Sequence, residues 1–106
     1  MGEFAGSLGE RVTIEHWVEA RDDAGAAVGE WRPGARVAAA VAPEGGGAVE
    51  GEARRSRRRW RVVVRAGVEV GLVSRLSWRG RELRVLAVED DPALPDRRLV
   101  RAEERP

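Results

Sequence analysis

Few side chains in this sequence could do chemistry, and their types narrow what that chemistry is. His16 is the only histidine, hence the only side chain that ordinarily titrates near neutral pH. The chain has no cysteine, no tyrosine and no lysine. Disulfides, thiolate metal sites, cysteine nucleophiles and Schiff-base chemistry are thereby excluded. His16 alternates with apolar residues and has no second histidine to share a metal, so a buried, hydrogen-bonded or ordinary surface histidine is expected. Paired carboxylates occur at Asp22-Asp23 and Asp90-Asp91, both in turn-like sequence where Asp caps backbone donors. General acid–base work would need a pocket that splits their pKa values, and nothing nearby predicts one. The run Gly45-Gly46-Gly47 lacks the Lys-Ser/Thr of a phosphate loop. These counts point away from an enzyme, and no cofactor or metal is expected.

The sharpest chemical feature is cationic. Arg54, Arg55, Arg57, Arg58, Arg59 and Arg61 fall within eight positions. Guanidinium binds phosphate or carboxylate bidentately and does not lose its proton. Contact with DNA phosphates or with an acidic protein neighbour is the functional reading; a solvated, arginine-rich loop is the plain one. Charged residues make up 35% of the chain, yet the net charge is +1 because the two halves oppose each other. Residues 1–53 hold four Arg against ten acids, a net −6, whereas residues 54–106 hold fifteen Arg against eight acids, a net +7.

Strands must position these groups, because the apolar period is two. Val12, Ile14, His16 and Val18 alternate with Thr13, Glu15, Trp17 and Glu19, which predicts a half-buried strand over about 11–19. Trp17 then lies on the face opposite the valines and is a candidate interface anchor. Asp22 to Gly25 reads as a turn, Trp31 ends a short second run, and Pro33-Gly34 reads as another turn. Val37, Ala39 and Val41 predict a strand over about 35–42, stopped by Pro43. Residues 44–58 read as an extended loop with room for one short helix near 49–55. Trp60, Val62 and Val64 alternate with Arg59, Arg61 and Arg65 in a strand over about 58–66. Leu76 and Trp78 suggest a strand over about 74–78, turning at Arg79-Gly80 into one that carries Leu83, Val85 and Ala87 to about Glu89. A last strand is expected at about 97–103, with residues 104–106 a frayed tail. Five to six strands without a long helix suit a single-domain, all-β antiparallel barrel or sandwich over residues 1–106, with Val12, Ile14, Trp60, Val62, Val64, Trp78 and Val85 in its core. No apolar run approaches the roughly 20 residues of a membrane span, and the N-terminus lacks a signal-peptide pattern, so a soluble protein kept in the cell or packaged in a particle is expected.

The order of these motifs resembles the head closure, or head–tail joining, family of tailed phages and gene transfer agents. The segment Gly6 to Ile14 is similar to its opening pattern, and Asp23-Ala24-Gly25 with Glu30-Trp31 to its hairpin. Val37 to Pro43 followed by Gly45 to Glu50, then Trp60 to Arg65, then Arg75 to Val88, are similar to its later strands. Two positions depart: Ala40 stands near a frequent Trp, and Leu83 replaces a usual aromatic.

The resemblance implies a structural protein, often called a stopper or head completion protein, at the head–tail junction of a phage or gene transfer agent particle assembled in the bacterial cytoplasm. It implies a ring, six-fold, with portal and adaptor above, tail terminator and tail tube proteins below, and the end of the packaged double-stranded DNA in its channel. The segment Glu44 to Arg58 would reach that channel. Ring subunits need complementary patches on one chain. Glu15, Trp17, Glu19 and Glu30 facing Arg59, Arg61 and Arg65 are the expected pair, on charges that select register more than they stabilise. The alternative is a small-barrel nucleic-acid-binding module using the arginine strand, which would want exposed aromatics for base stacking.

Overall fold

A computed structural model describes residues 8–44 and 58–105. Six antiparallel strands run in chain order: β1 (Glu10–Arg21), β2 (Ala27–Pro43), β3 (Arg59–Arg65), β4 (Ser74–Trp78), β5 (Arg81–Asp90) and β6 (Arg97–Glu104). They close into a barrel in the order β1-β2-β3-β6-β5-β4. The seam is β1 against β4, with Thr13 opposite Ser77 and His16 opposite Ser74. No helix occurs among the described residues, and the short helix expected near 49–55 lies outside them.

Turn chemistry sets the registers. The Asp22 carboxylate accepts the N–H groups of Ala24 and Ala26 at 3.0 and 2.8 Å, and Gly25 takes φ +87°. That turn places Trp17 directly opposite Trp31. Between β4 and β5, Arg79 and Gly80 both have positive φ (49° and 76°), the mirror-image turn whose twist suits a two-residue hairpin. The left-handed conformation is thus borne by an arginine as well as by the glycine.

Two bulges correct the strictly alternating picture. Pro33-Gly34 is not a turn; β2 runs through it. The register shifts between Thr13 and Glu15, so that Gly34 and Ala35 together oppose Ile14. Proline is tolerated in a strand at such a bulge. Glycine is required there, because a Cβ on Gly34 would stand 2.8 Å from the Ile14 carbonyl and 3.0 Å from the His16 ring. One extra residue reverses which side chains face inward. Hence Val37 packs against the core, while Trp31 lies on the outside beside Trp17. On β5 the register shifts between Val85 and Ala87, so the inward series passes from Val85 to Val88 and skips Ala87.

The interior is filled. Val12, Ile14, Ala39, Trp60, Val62, Val64, Leu76, Trp78, Leu83, Val85, Val100 and Ala102 form one buried cluster. Strand directions give the barrel two ends. The lower end gathers residues 8–9, 44, 58, 79–80 and 105; the upper end gathers the turns 22–26, 66–73 and 91–96. The chain does not fray at Glu104: its N–H donates to the Arg58 carbonyl at 2.7 Å, and the Arg105 N–H donates to that of Glu82 at 2.9 Å.

β1 and β2 outrun their neighbours. β4 pairs with β1 only through His16, and β3 pairs with β2 only over Ala40–Pro43. Residues 17–21 and 27–31 therefore form a two-stranded arm extending about 17 Å past the barrel at 3.4 Å per residue.

Candidate functional site

The lower end is closed by two indoles, each held by a carboxylate and an arginine. Trp60 and Trp78 meet edge to face at 4.8 Å. The Trp60 Nε1–H donates to Glu104 and the Trp78 Nε1–H to Glu10, both at 2.9 Å. Arg79 binds Glu10 bidentately at 3.0 and 2.7 Å, and Arg81 lies 5.5 and 5.4 Å from the two ring centres. The Trp78 N–H, chiefly, and then the Arg79 charge and hydrogen bond hold the Glu10 carboxyl below its ordinary value against the opposing effect of burial.

The segment 44–58 leaves and re-enters the barrel at this end, and both of its anchors are clamped. Glu44 donates its N–H to the Arg59 carbonyl at 2.9 Å and forms an ion pair with Arg101. Arg58 lies 5.8 Å from the Trp60 ring. Arg58, Arg79, Arg81 and Arg105 stand at this end among the carboxylates of Glu10, Glu44, Glu82 and Glu104, Arg79 lying 2.7 Å from Glu10, Arg81 3.7 Å from Glu104 and Arg105 3.9 Å from Glu82. Of the six arginines singled out in the sequence, Arg54, Arg55 and Arg57 lie outside the described residues. Arg59 and Arg61 project from the outer face of β3, Arg59 lying 3.9 Å from Glu103.

The upper end differs. Loop 66–73 covers it, with Val68 and Val70 packed on the core and the Val68 carbonyl accepting from Arg98 at 2.8 Å. Arg98 also binds Asp90 at 2.9 Å, and that hydrogen bond raises the guanidinium pKa above its ordinary value. Every exposed large hydrophobic among the described residues belongs to this upper region: Trp17, Val28, Leu72, Val73 and Leu94. Here too stand the paired acids. Asp22 and Asp91 cap turn N–H groups, and Asp90 is held by Arg98. His16 Nδ1 lies 3.3 Å from the buried Ser74 hydroxyl, which also accepts the Gly71 N–H at 3.2 Å. No three His, Asp or Glu side chains converge as metal ligands among the described residues.

The expected interface residues separate. Trp17 and Glu19 share the outer face of β1 and are exposed. Glu15 is on that face but is occupied, its carboxylate lying 2.6 Å from Arg75 with both side chains 18% exposed. Glu30 pairs with Val18, which puts it on the opposite face of the arm, bound to Arg32 at 2.8 Å. Arg65 projects from the outer face of β3. Two features went unread in the sequence. Trp31 supports Trp17 edge to face at 5.4 Å, a pairing that follows from the position of the turn. A groove of about 450 Å³ also opens on the outer face of β3, β6 and β5, made by loop 91–96 folding back, which has no local signature.

A family model described as "Phage head completion protein" matches residues 5–105. No curated protein matches. Two solved structures share the fold. The solution structure of protein SF1141 from Shigella flexneri 2a is 22% identical, covering 98% of this chain and 96% of that one at a TM-score of 0.72. A chain of the virion of a native gene transfer agent particle is 24% identical, covering 92% of this chain and 96% of that one at a TM-score of 0.71.

Proposed function

Because the chain belongs to the phage head completion protein family, a family of structural virion components rather than enzymes, we propose that it acts as a stopper-type head–tail connector. Copies would form a ring beneath the portal and its adaptor, close the DNA-filled capsid and offer the tail a docking surface. The observation that carries this reading is a filled barrel with two unlike ends. A packed interior cannot pass DNA, so a channel has to run between subunits, at the centre of a ring. The segment 44–58, which joins the barrel at the lower end and carries Arg54, Arg55, Arg57 and Arg58 in its sequence, suits contact with the DNA end. The exposed Leu72 and Val73 of loop 66–73, at the upper end, suit a protein partner on the tail side. A free-standing nucleic-acid-binding module fits less well. Trp60 and Trp78 are buried, and the exposed Trp17 lies away from the arginines of the lower end, so among the described residues no aromatic platform stands beside those arginines.

The test is production of particles without this protein. Filled heads are expected to lose DNA and to fail to join tails, and supplying the protein in trans restores both. Heads that keep their DNA and take tails normally in its absence would refute the proposal.

A further inference from the structure

The outer faces of β1 and β6 lie across the barrel from each other, three strands apart in either direction. Each presents groups that the other described residues leave unmatched. On β1, Trp17 is 45% exposed, yet its ring is fixed. It lies on Gly29, where no Cβ would fit, and against Trp31. Arg75 covers Trp31 at 4.5 Å and is itself held by Glu15. Glu19, two residues on, faces the same way and makes no ion pair among the described residues. An exposed indole held in one position loses little freedom on binding, as in the aromatic anchors of interface hot spots.

On the far side is the groove of about 450 Å³, with Val63 and Leu99 on its floor, Pro92 and Leu94 on its wall, and Arg61 and Arg97 at its rim. The acids around it are already engaged. Glu89 binds Arg101 at 2.7 Å, Asp90 binds Arg98 at 2.9 Å, and Asp91 caps the Ala93 N–H at 2.9 Å. Arg61 makes no ion pair among the described residues. An apolar slot edged by an unmatched cation thus stands opposite an apolar anchor followed by an unmatched anion.

We propose that the occupant of the groove is Trp17 of a second copy of this chain, with its Glu19 against Arg61. This rests on the ring reading above and names the contact that would build the ring. Donor and acceptor are different patches on opposite sides of one subunit. Repeating the contact therefore gives a head-to-tail series, which makes a ring when the rotation between copies closes, and not a two-fold dimer. The charges select the register, and the indole supplies the buried area.

The native chain has no cysteine, so introduced thiols report this contact without background. Glu19→Cys and Arg61→Cys proteins are mixed under mild oxidation. A covalent dimer is expected from the mixture and from neither variant alone, and the double variant should give a ladder ending at the ring. Adding Trp17→Ala to the pair should lower the dimer yield at least tenfold, with circular dichroism checking that the exposed substitutions leave the fold intact. Equal yield with Trp17→Ala, or dimers from Glu19→Cys alone, would overturn the contact. Sedimentation of the unmodified chain separates the two levels. An oligomer without the mixed disulfide overturns this interface and leaves the ring; a chain monomeric at every concentration with no trapped disulfide also overturns this interface, and the ring reading then stands or falls by the particle experiment above.

Discussion

Replacing Trp60 tests whether the lower end is a packed plug or a loose lid. The side chain is 7% exposed, meets Trp78 edge to face at 4.8 Å and donates to Glu104 at 2.9 Å. Trp60→Ala should destabilise the fold by about 3–5 kcal/mol, the range for emptying a large aromatic site. Trp60→Phe keeps most of the ring but loses the donor. Glu104 is 25% exposed and stays hydrated, so the cost of that lost bond should be only about 0.5–1.5 kcal/mol. The Trp60→Ala/Trp78→Ala double variant should cost less than the sum of the singles by about 0.5–1.5 kcal/mol, the coupling of an aromatic pair beyond its buried area. Because a domain of this size has about 5–15 kcal/mol in total, the double variant approaches the edge of folding. Urea unfolding followed by far-UV circular dichroism measures all of this without relying on the removed fluorophores. A Trp60→Ala cost below about 1 kcal/mol would refute the claim that this indole closes the barrel. The plug also has a functional side, since Glu104 anchors both the Trp60 indole and, through its N–H, the Arg58 carbonyl where the arginine segment returns. Variants that loosen the plug should therefore also weaken DNA retention in filled heads.

Two further outcomes follow from single sites. Gly34→Ala should lower stability by about 1–3 kcal/mol in the same assay, since its Cβ would press on the Ile14 carbonyl, which is backbone and cannot swing aside; a neutral result would mean that the bulge is free to relax. Acid stability tests the carboxylates. Glu10 and Asp96 both have folded-state pKa values below their ordinary 4.5 and 3.8, Glu10 chiefly through the Trp78 N–H and Asp96 through its hydrogen bond to Arg97. A depressed folded value favours the fold above the ordinary pKa, and that support is lost as pH falls through the folded value. Thermal midpoints should hold from neutral pH to about 5 and then decline, and Glu10→Gln should flatten part of the decline; an unchanged slope in that variant would remove Glu10 from the account.

Period-two alternation is a local property, so the sequence by itself determined that the chain is a run of antiparallel strands with Val12, Ile14, Trp60, Val62 and Val64 on inward faces. The turns at Asp22–Gly25 and Arg79-Gly80 were equally legible, because Asp caps and glycine conformations are written in neighbouring residues. Family membership was legible too, carried by the order of the motifs more than by any one of them. Pro33-Gly34 was misread because a proline–glycine pair looks the same in a turn and in a bulge; only the partner strand, with Ile14 opposite two residues, decides. For the same reason Glu15, Glu19 and Glu30 looked alike as acids. Pairing across the barrel then gave Glu15 to Arg75, turned Glu30 to the other face of the arm and left Glu19 beside Trp17 with no ion-pair partner among the described residues. Closure alone set β1 opposite β6 and made the groove that faces away from Trp17. Those relations join residues far apart in the chain, and no short stretch of sequence encodes a distance across a barrel.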